Sequence, residues 1–299
     1  MKYNQYTPFK ELEVKKGIIL FLFFGTLSGR SIDFFWDSEK ASANEVIQKI
    51  PSSTSAINWT EGKVRCEIRI PYTDNASPNI GKTLAQIGSE IRTQLRSQLI
   101  KAMGYVRVSD IFLLRDYYSL QNQIRNELLE TVEHAFYYPL VQEKGFMKGV
   151  AELDFYGENG IAPVFFRDMS KVSLTNFIQN SRDLLWYDTI IVDTFLYPEF
   201  LPSLHFRIYD TEGNLIYGPE VVSESVLQKK GVCRYVASLS AAFQREERGS
   251  KIFYVVPVGM RGKTPTEIII SKNDARKLLA NAKTHETLRA GRVLVVKPN

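Results

Sequence analysis

The chain has 299 residues, 44% of them hydrophobic and 24% charged, with a formal net charge of +5. These proportions are those of an ordinary globular protein and exclude a disordered, collagenous or polytopic membrane chain. Two cysteines by themselves cannot build a disulfide-stapled mini-fold or a four-ligand zinc site, and three scattered histidines (His134, His205, His285) leave little for histidine-based metal or acid–base chemistry.

Lys15 and Lys16 precede an unbroken apolar run over residues 17–25, and the small residues Thr26, Ser28 and Gly29 follow. A positive segment, a short greasy segment and small residues at the exit predict a secretory signal over residues 1–29. The run falls short of the ~20 residues that span a bilayer. A buried core helix or strand is the alternative reading. No cysteine stands near the predicted exit, so no lipoprotein anchor is expected, and the mature chain is expected in the periplasm or outside the cell with no integral membrane span. Loss of residues 1–29 removes four lysines and two glutamates and leaves a net charge of +3, which favours acidic partners weakly and does not call for nucleic acid. Pairing of Cys66 with Cys233 in an oxidising compartment stays open, since Cys66 reads equally as a small core residue.

Residues 30–60 read as an N-terminal extension, with Phe34-Phe35-Trp36 and a Pro/Ser loop at 51–55. Residues 63–70 alternate charged and apolar and predict a half-buried strand. After a turn-rich loop at 71–79, Leu84, Ile87, Ile91, Leu95 and Leu99 recur at helical spacing over about five turns. A second helix carries Leu120, Ile124, Leu128 and Val132, and strands follow near 136–141 and 148–156. These elements make one α+β domain over 61–160. A connector at 161–184 leads to a second α/β domain over 185–299. There, residues 189–193 form a continuous apolar strand, 205–209 and 215–217 a hairpin around Gly213, 233–247 a helix, and 252–258 a strand. A strand at 267–270, a helix at 273–283 opened by Ser271, and a strand at 292–296 close the chain. The predicted fold class is α+β, two domains of helices packed on small mixed or antiparallel sheets.

Residues 76–83 satisfy a relaxed phosphate-loop pattern ending in Lys82-Thr83, between a predicted strand and helix, and Asp193 ends an apolar strand as a magnesium-holding Asp does. Against nucleotide hydrolysis stand Pro78, the missing loop glycines and the alternating strand before the loop. HExxH, GxSxG, CxxC and GxGxxG are absent. His134 and His285 read as surface residues, and Asp154 with Glu158 as solvated carboxylates. A periplasmic carrier would need a deep apolar pocket between the two halves.

The second half carries Ile191-Val192-Asp193, Phe206-Arg207-Ile208-Tyr209-Asp210-Thr211-Glu212-Gly213, Ile216-Tyr217-Gly218-Pro219-Glu220, Gly231-Val232-Cys233-Arg234-Tyr235-Val236, Thr266-Glu267-Ile268-Ile269-Ile270-Ser271 and Ala290-Gly291-Arg292-Val293-Leu294-Val295-Val296. With the helical segment 84–106, these stretches resemble the LPP20-like and FlgP-like flagellum-associated envelope proteins of bacteria. Thr194-Phe195-Leu196 stands where the family often has Ala-Arg-Gly, and the lipid-bearing cysteine of many members is missing. The resemblance implies a non-enzymatic structural component of the periplasmic flagellum, a filament sheath or surface protein supporting coiling and motility. It implies flagellar sheath or filament proteins as partners, with outer-membrane or motor-associated proteins as the alternative, and no cofactor, metal or catalytic residue. An interface is expected at Phe195, Leu196, Tyr197, Phe200 and Leu201, in a loop stiffened by Pro198 and Pro202, with Tyr117 and Tyr118 as a further aromatic pair and Arg92 and Arg96 as basic positions on the first helix. The alternative for the loop is that it covers the protein's own core.

Overall fold

A computed structural model describes residues 44–72, 83–167, 169, 171–172, 174, 185–245 and 249–298. The predicted signal, Phe34-Phe35-Trp36, the greater part of the phosphate-loop-like segment including Lys82, and residues 175–184 of the connector lie outside the described residues. The first sheet is antiparallel. It is built from β1 (Ile47–Lys49), β2 (Ala56–Asn58), β3 (Lys63–Pro71), β4 (Phe136–Tyr137), β5 (Val141–Glu143) and β6 (Phe146–Asp154), in the order β1-β2-β3-β6-β4 with β5 also on β6. The residues read as an extension therefore include two strands of this sheet, each too short to show an alternating pattern. Pro139, which has no N–H to donate, separates β4 from β5 where one strand was expected.

Alternation along β3 buries Val64, Cys66 and Ile68 on one face. Helix α1 (Leu84–Met103) lies across β3 and β6 and buries Ile87, Ile91, Leu95 and Leu99. Leu84, the first residue of the expected stripe, is exposed. Thr83 caps the helix: its Oγ1 accepts from Gln86 N (3.3 Å), and its own N–H donates to Gln86 Oε1 (2.8 Å). The approach of α1 to β6 is close. A Cβ on Gly149 would stand 2.2 Å from Ile91 Cγ2. On the opposite face the register sets Arg65 against Glu152, and their side chains pair at 3.2 Å. The expected second helix is two, α2 (Leu114–Leu120) and α3 (Asn122–Glu133), broken where Gln121 is extended. Helix α4 (Ala162–Phe166) follows.

Beyond the connector, β7 (Thr189–Asp193), β10 (Arg234–Val236), β11 (Ile252–Val255) and β14 (Val293–Val296) form a wholly parallel sheet in the order β10-β14-β7-β11. Strand β7 is buried along its full length. The third sheet, β12-β13-β8-β9, joins β8 (Arg207–Asp210), β9 (Leu215–Tyr217), β12 (Gly259–Arg261) and β13 (Glu267–Ile270). The predicted turn at Gly213 is present, with φ +86° and Asp210 Oδ1 accepting from Glu212 N and Asn214 N. The helices here are α5 (Glu224–Lys230), α6 (Leu239–Gln244), α7 (Lys272–Leu279) and α8 (Ala282–Arg289). Two expectations are corrected. Residues 234–236 are a strand, and the helix starts only at Ser238, whose side chain accepts from Ala241 N. The expected helix 273–283 is opened by Ser271 as read but ends at Leu279, and Asn281 caps a second helix that the reading missed. His285, read as a surface residue, is buried within that second helix with Nε2 2.8 Å from Leu279 O. The α+β class holds, with one all-parallel sheet among the three.

The two halves share one apolar core. Trp59 packs edge-on against Phe155 (5.4 Å) and against Tyr235 (5.8 Å) of β10, and Tyr235 in turn touches Phe200 and Phe206. Leu204 N and His205 N donate to Arg107 O and Val108 O across the seam. Gly231 has φ +77°, and a Cβ there would lie 2.4 Å from the Tyr156 ring. Side chains and backbone hydrogen bonds fill this part of the seam, and the cleft of about 560 Å³ that residues of both halves line, Glu45, Glu61 and Lys63 with Arg234, is polar where a carrier needs an apolar pocket. Trp59→Ala is expected to cost about 3–5 kcal/mol and to lower the midpoint of a single cooperative urea transition. Two separated transitions followed by fluorescence and circular dichroism would show that the halves do not share a core.

Candidate interaction surface

Strand β7 runs between β14 and β11 and ends at Asp193, and the chain then leaves the carboxyl edge of the parallel sheet. That edge is where open α/β sheets place ligands. Here the side chains of Asp193 and Thr194 are already occupied. Asp193 Oδ1 accepts from Phe195 N (3.0 Å) and its Oδ2 from the Tyr254 hydroxyl (2.6 Å). Thr194 donates to Val296 O through both N–H (3.2 Å) and Oγ1 (2.6 Å). The bond to Asp193, followed by partial burial, pushes the Tyr254 phenol up to about 12. The carboxylate placed like a magnesium-holding Asp is thus a turn-builder. The phosphate-loop context fails as well: β3 pairs antiparallel on both sides, so it is no parallel strand feeding a crossover helix.

The turn sets the expected loop residues apart. Phe195 is 69% and Leu196 66% exposed, and Leu201 is partly exposed. Tyr197 is half-buried against the core. Phe200 is fully buried between Phe206 and Tyr235 and holds the loop from beneath. Ser203 N donates to the Tyr235 hydroxyl (3.0 Å), which donates to Ser203 O (2.8 Å), so the far end is tied to the same ring. Leu201 N donates to Pro265 O (2.8 Å). The result is an apolar tip on a rigid base.

The other candidates lie elsewhere. Tyr117 packs against Phe112 and Phe165, and Tyr118 is half-buried with its hydroxyl toward Ile100 O; burial pushes both phenols up. Arg92 is exposed, 5.6 Å from the Tyr137 ring centre, and lines a groove of about 460 Å³ with Tyr137, Pro139 and Leu140. Arg96 forms an ion pair with Glu133. A second cleft, of about 560 Å³, is lined by charges of both signs, among them Glu45, Glu61, Lys63 and Arg234. Cys66 and Cys233 are buried free thiols, each pushed up to about 12 by burial. Among the described residues no helix is long and apolar enough to cross a membrane, and no three His, Cys, Asp or Glu side chains converge as metal ligands. The sequence reading missed Tyr254, whose exposed ring borders the tip through Asp193.

Residues 189–299 match the family described as Treponema pallidum Tp0624, second domain. The second half is thus similar to a domain of a spirochete protein, over a little more than a third of the chain. A comparison of the chain with curated proteins gives no match. The Tp0624-like stretch begins at β7 and takes in the parallel sheet, the third sheet and the apolar tip.

Within that stretch the quoted motifs build structure. Arg207 of β8 pairs with Glu220 (2.7 Å) and with Glu267 of β13 (3.3 Å), the residue opposite it in register. A Cβ on Gly218 would strike Glu220 Oε2 at 2.6 Å and Arg207 Cγ at 2.9 Å, which accounts for the glycine in Tyr217-Gly218-Pro219-Glu220. Beside this network His205 stacks on Phe166 (5.3 Å), and its Nε2 has no hydrogen-bond partner among the described residues. Burial, and then the Arg207 guanidinium, pull its pKa down to about 4, while Glu220 opposes. Between pH ~6.5 and ~4 the unfolded chain takes up a proton there and the folded chain does not, so stability falls as pH drops through that window. Denaturant titrations are expected to show a His205-dependent loss on the order of 3 kcal/mol over this window. A His205→Phe variant that keeps the full loss would assign it to other groups.

Proposed function

We propose that this chain is an exported, non-catalytic structural protein that works by contact within a spirochete-type cell envelope, as a surface component of the periplasmic flagellar filament that supports its coiling. The observation that carries the reading is the tip: two large apolar side chains, Phe195 and Leu196, held out to solvent on a turn tied down by hydrogen bonds of Asp193 and Thr194. An exposed apolar pair on a rigid base loses little entropy when it docks, and costs solubility when it does not. The likeness of residues 189–299 to a Treponema pallidum domain supports the spirochete setting. The envelope-protein resemblance supports the flagellar one, and the chain resembles the flagellar coiling protein B of spirochetes among such proteins. The apolar run at 17–25 supports export. The partners are then sheath or filament proteins, met through the tip.

The test is co-sedimentation of the purified chain with periplasmic filaments from its own cell, beside immunogold labelling. Phe195→Glu with Leu196→Glu is expected to reduce the pelleted fraction about tenfold, equivalent to ~1.4 kcal/mol, with the unfolding midpoint nearly unchanged because both side chains are exposed. A pellet indifferent to the double variant would remove the tip from the interface. Label at the motor base or outer membrane, with none along filaments, would move the protein elsewhere in the envelope.

A further inference from the structure

Helix α1 carries a glycine in its interior, Gly88, where that residue is destabilising relative to alanine. A second glycine, Gly149 of β6, faces the same helix. Leu140 rests between the two: a Cβ on Gly88 would stand 3.3 Å from its Cδ1, and one on Gly149 would stand 3.2 Å from its Cδ2. Gly88, Arg92 and Leu95 are spaced by four and then three, so they share one face of α1. That face and the corner from Tyr137 to Leu140, where Pro139 separates β4 from β5, wall the groove of about 460 Å³. Small-molecule sites ordinarily have volumes of roughly 300–1,000 Å³ and apolar walls with a few polar groups.

The walls here follow that pattern. Leu95, Pro139, Leu140 and the Tyr137 and Tyr138 rings line the groove, and the Tyr138 hydroxyl is spent on Glu152 Oε2 (2.9 Å). Arg92 is the sole charged lining residue among the described ones. Its guanidinium has no carboxylate partner among them and lies 5.6 Å from the Tyr137 ring centre. One turn further on, Arg96 is neutralised by Glu133. One positive charge is therefore left over at the Tyr137 end of an apolar recess. A guanidinium in that position presents a planar fork that matches a carboxylate. Anionic membrane surfaces are met by clusters of roughly four to eight cations, whereas a single cation in a recess matches a single monoanion.

We propose that this groove binds a single-chain amphiphile with one carboxylate, the carboxylate on Arg92 and the tail along Gly88, Leu95, Pro139 and Leu140. The binding does not depend on whether the Phe195–Leu196 tip meets a filament partner. The test is calorimetric titration of the full chain with octanoate, kept below its micelle-forming concentration, and with octanol as the uncharged match. Octanoate is expected to bind one per chain and about tenfold tighter than octanol. Arg92→Gln, at an exposed position, should bring octanoate down to the octanol level and leave octanol unchanged. Gly88→Leu, which sets a side chain against Leu140, should lose both ligands. Equal affinity for the two, octanoate binding indifferent to Arg92→Gln, or no binding of either would overturn the proposal. So would Arg92-dependent flotation with phosphatidylglycerol vesicles by a chain that ignores octanoate, which would make this face a membrane contact.

Discussion

The structure turns on one aromatic contact. Trp59 from the first half lies edge-on to Tyr235 from the second, and Phe155, Phe200 and Phe206 complete the cluster. Each such pair adds about 0.5–1.5 kcal/mol to the burial of its rings. The larger consequence is geometric. Tyr235 belongs to β10 of the parallel sheet, Phe206 leads into β8 of the third, and Trp59 follows β2 of the first, so one cluster ties three sheets into a single core. Tyr235 also spends its hydroxyl on Ser203, so the ring that fixes the sheets also fixes the loop above them.

From that constraint the surface follows. A loop of this length between two sheets would ordinarily be free to move. Here Thr194 is bound to Val296 at one end, Ser203 to Tyr235 at the other, and Phe200 plugs into the core between them. Phe195 and Leu196 are left outside, because Phe200 fills the space beneath the loop. The same economy governs the charges. Arg65 with Glu152, and Arg207 with Glu220 and Glu267, are satisfied within their sheets. Asp193 is engaged on both oxygens. These carboxylates and cations therefore hold strands and turns in register, and the exposed tip is left as the contact surface proposed above.

Local elements were readable in the sequence wherever the signal was periodic or punctuated. The three–four spacing of Ile87, Ile91, Leu95 and Leu99 marks α1, the apolar run 189–193 marks β7, and Ser271 marks the start of α7. The parallel sheet was not readable, because β14, at the end of the chain, inserts between β10 and β7; neighbours so far apart leave no local trace. Strand β10 is three residues long and lies beside a helix-like run, which hid it. In the loop, Phe195, Leu196 and Phe200 are alike as residue types. Their fates diverge because Asp193 caps the backbone of Phe195 while Phe200 meets two aromatic rings, and only the Asp two places before Phe195 hints at the turn. The motifs behind the family resemblance belong to the framework: Arg207, Glu220 and Glu267 form one ion-paired cluster with Gly218 packed close against it, so they speak to fold and leave a contact surface to be sought from exposure.

Rigidity of the tip is the claim on which the contact-based account rests, and native-state hydrogen exchange reads it directly. The amides of Thr194, Phe195, Leu201 and Ser203, bonded to Val296 O, Asp193 Oδ1, Pro265 O and the Tyr235 hydroxyl, should exchange as slowly as those of β7. Exchange of these four at the rate of an open peptide, while β7 stays protected, would mean that the loop moves freely over the core and that the tip has no fixed shape to present.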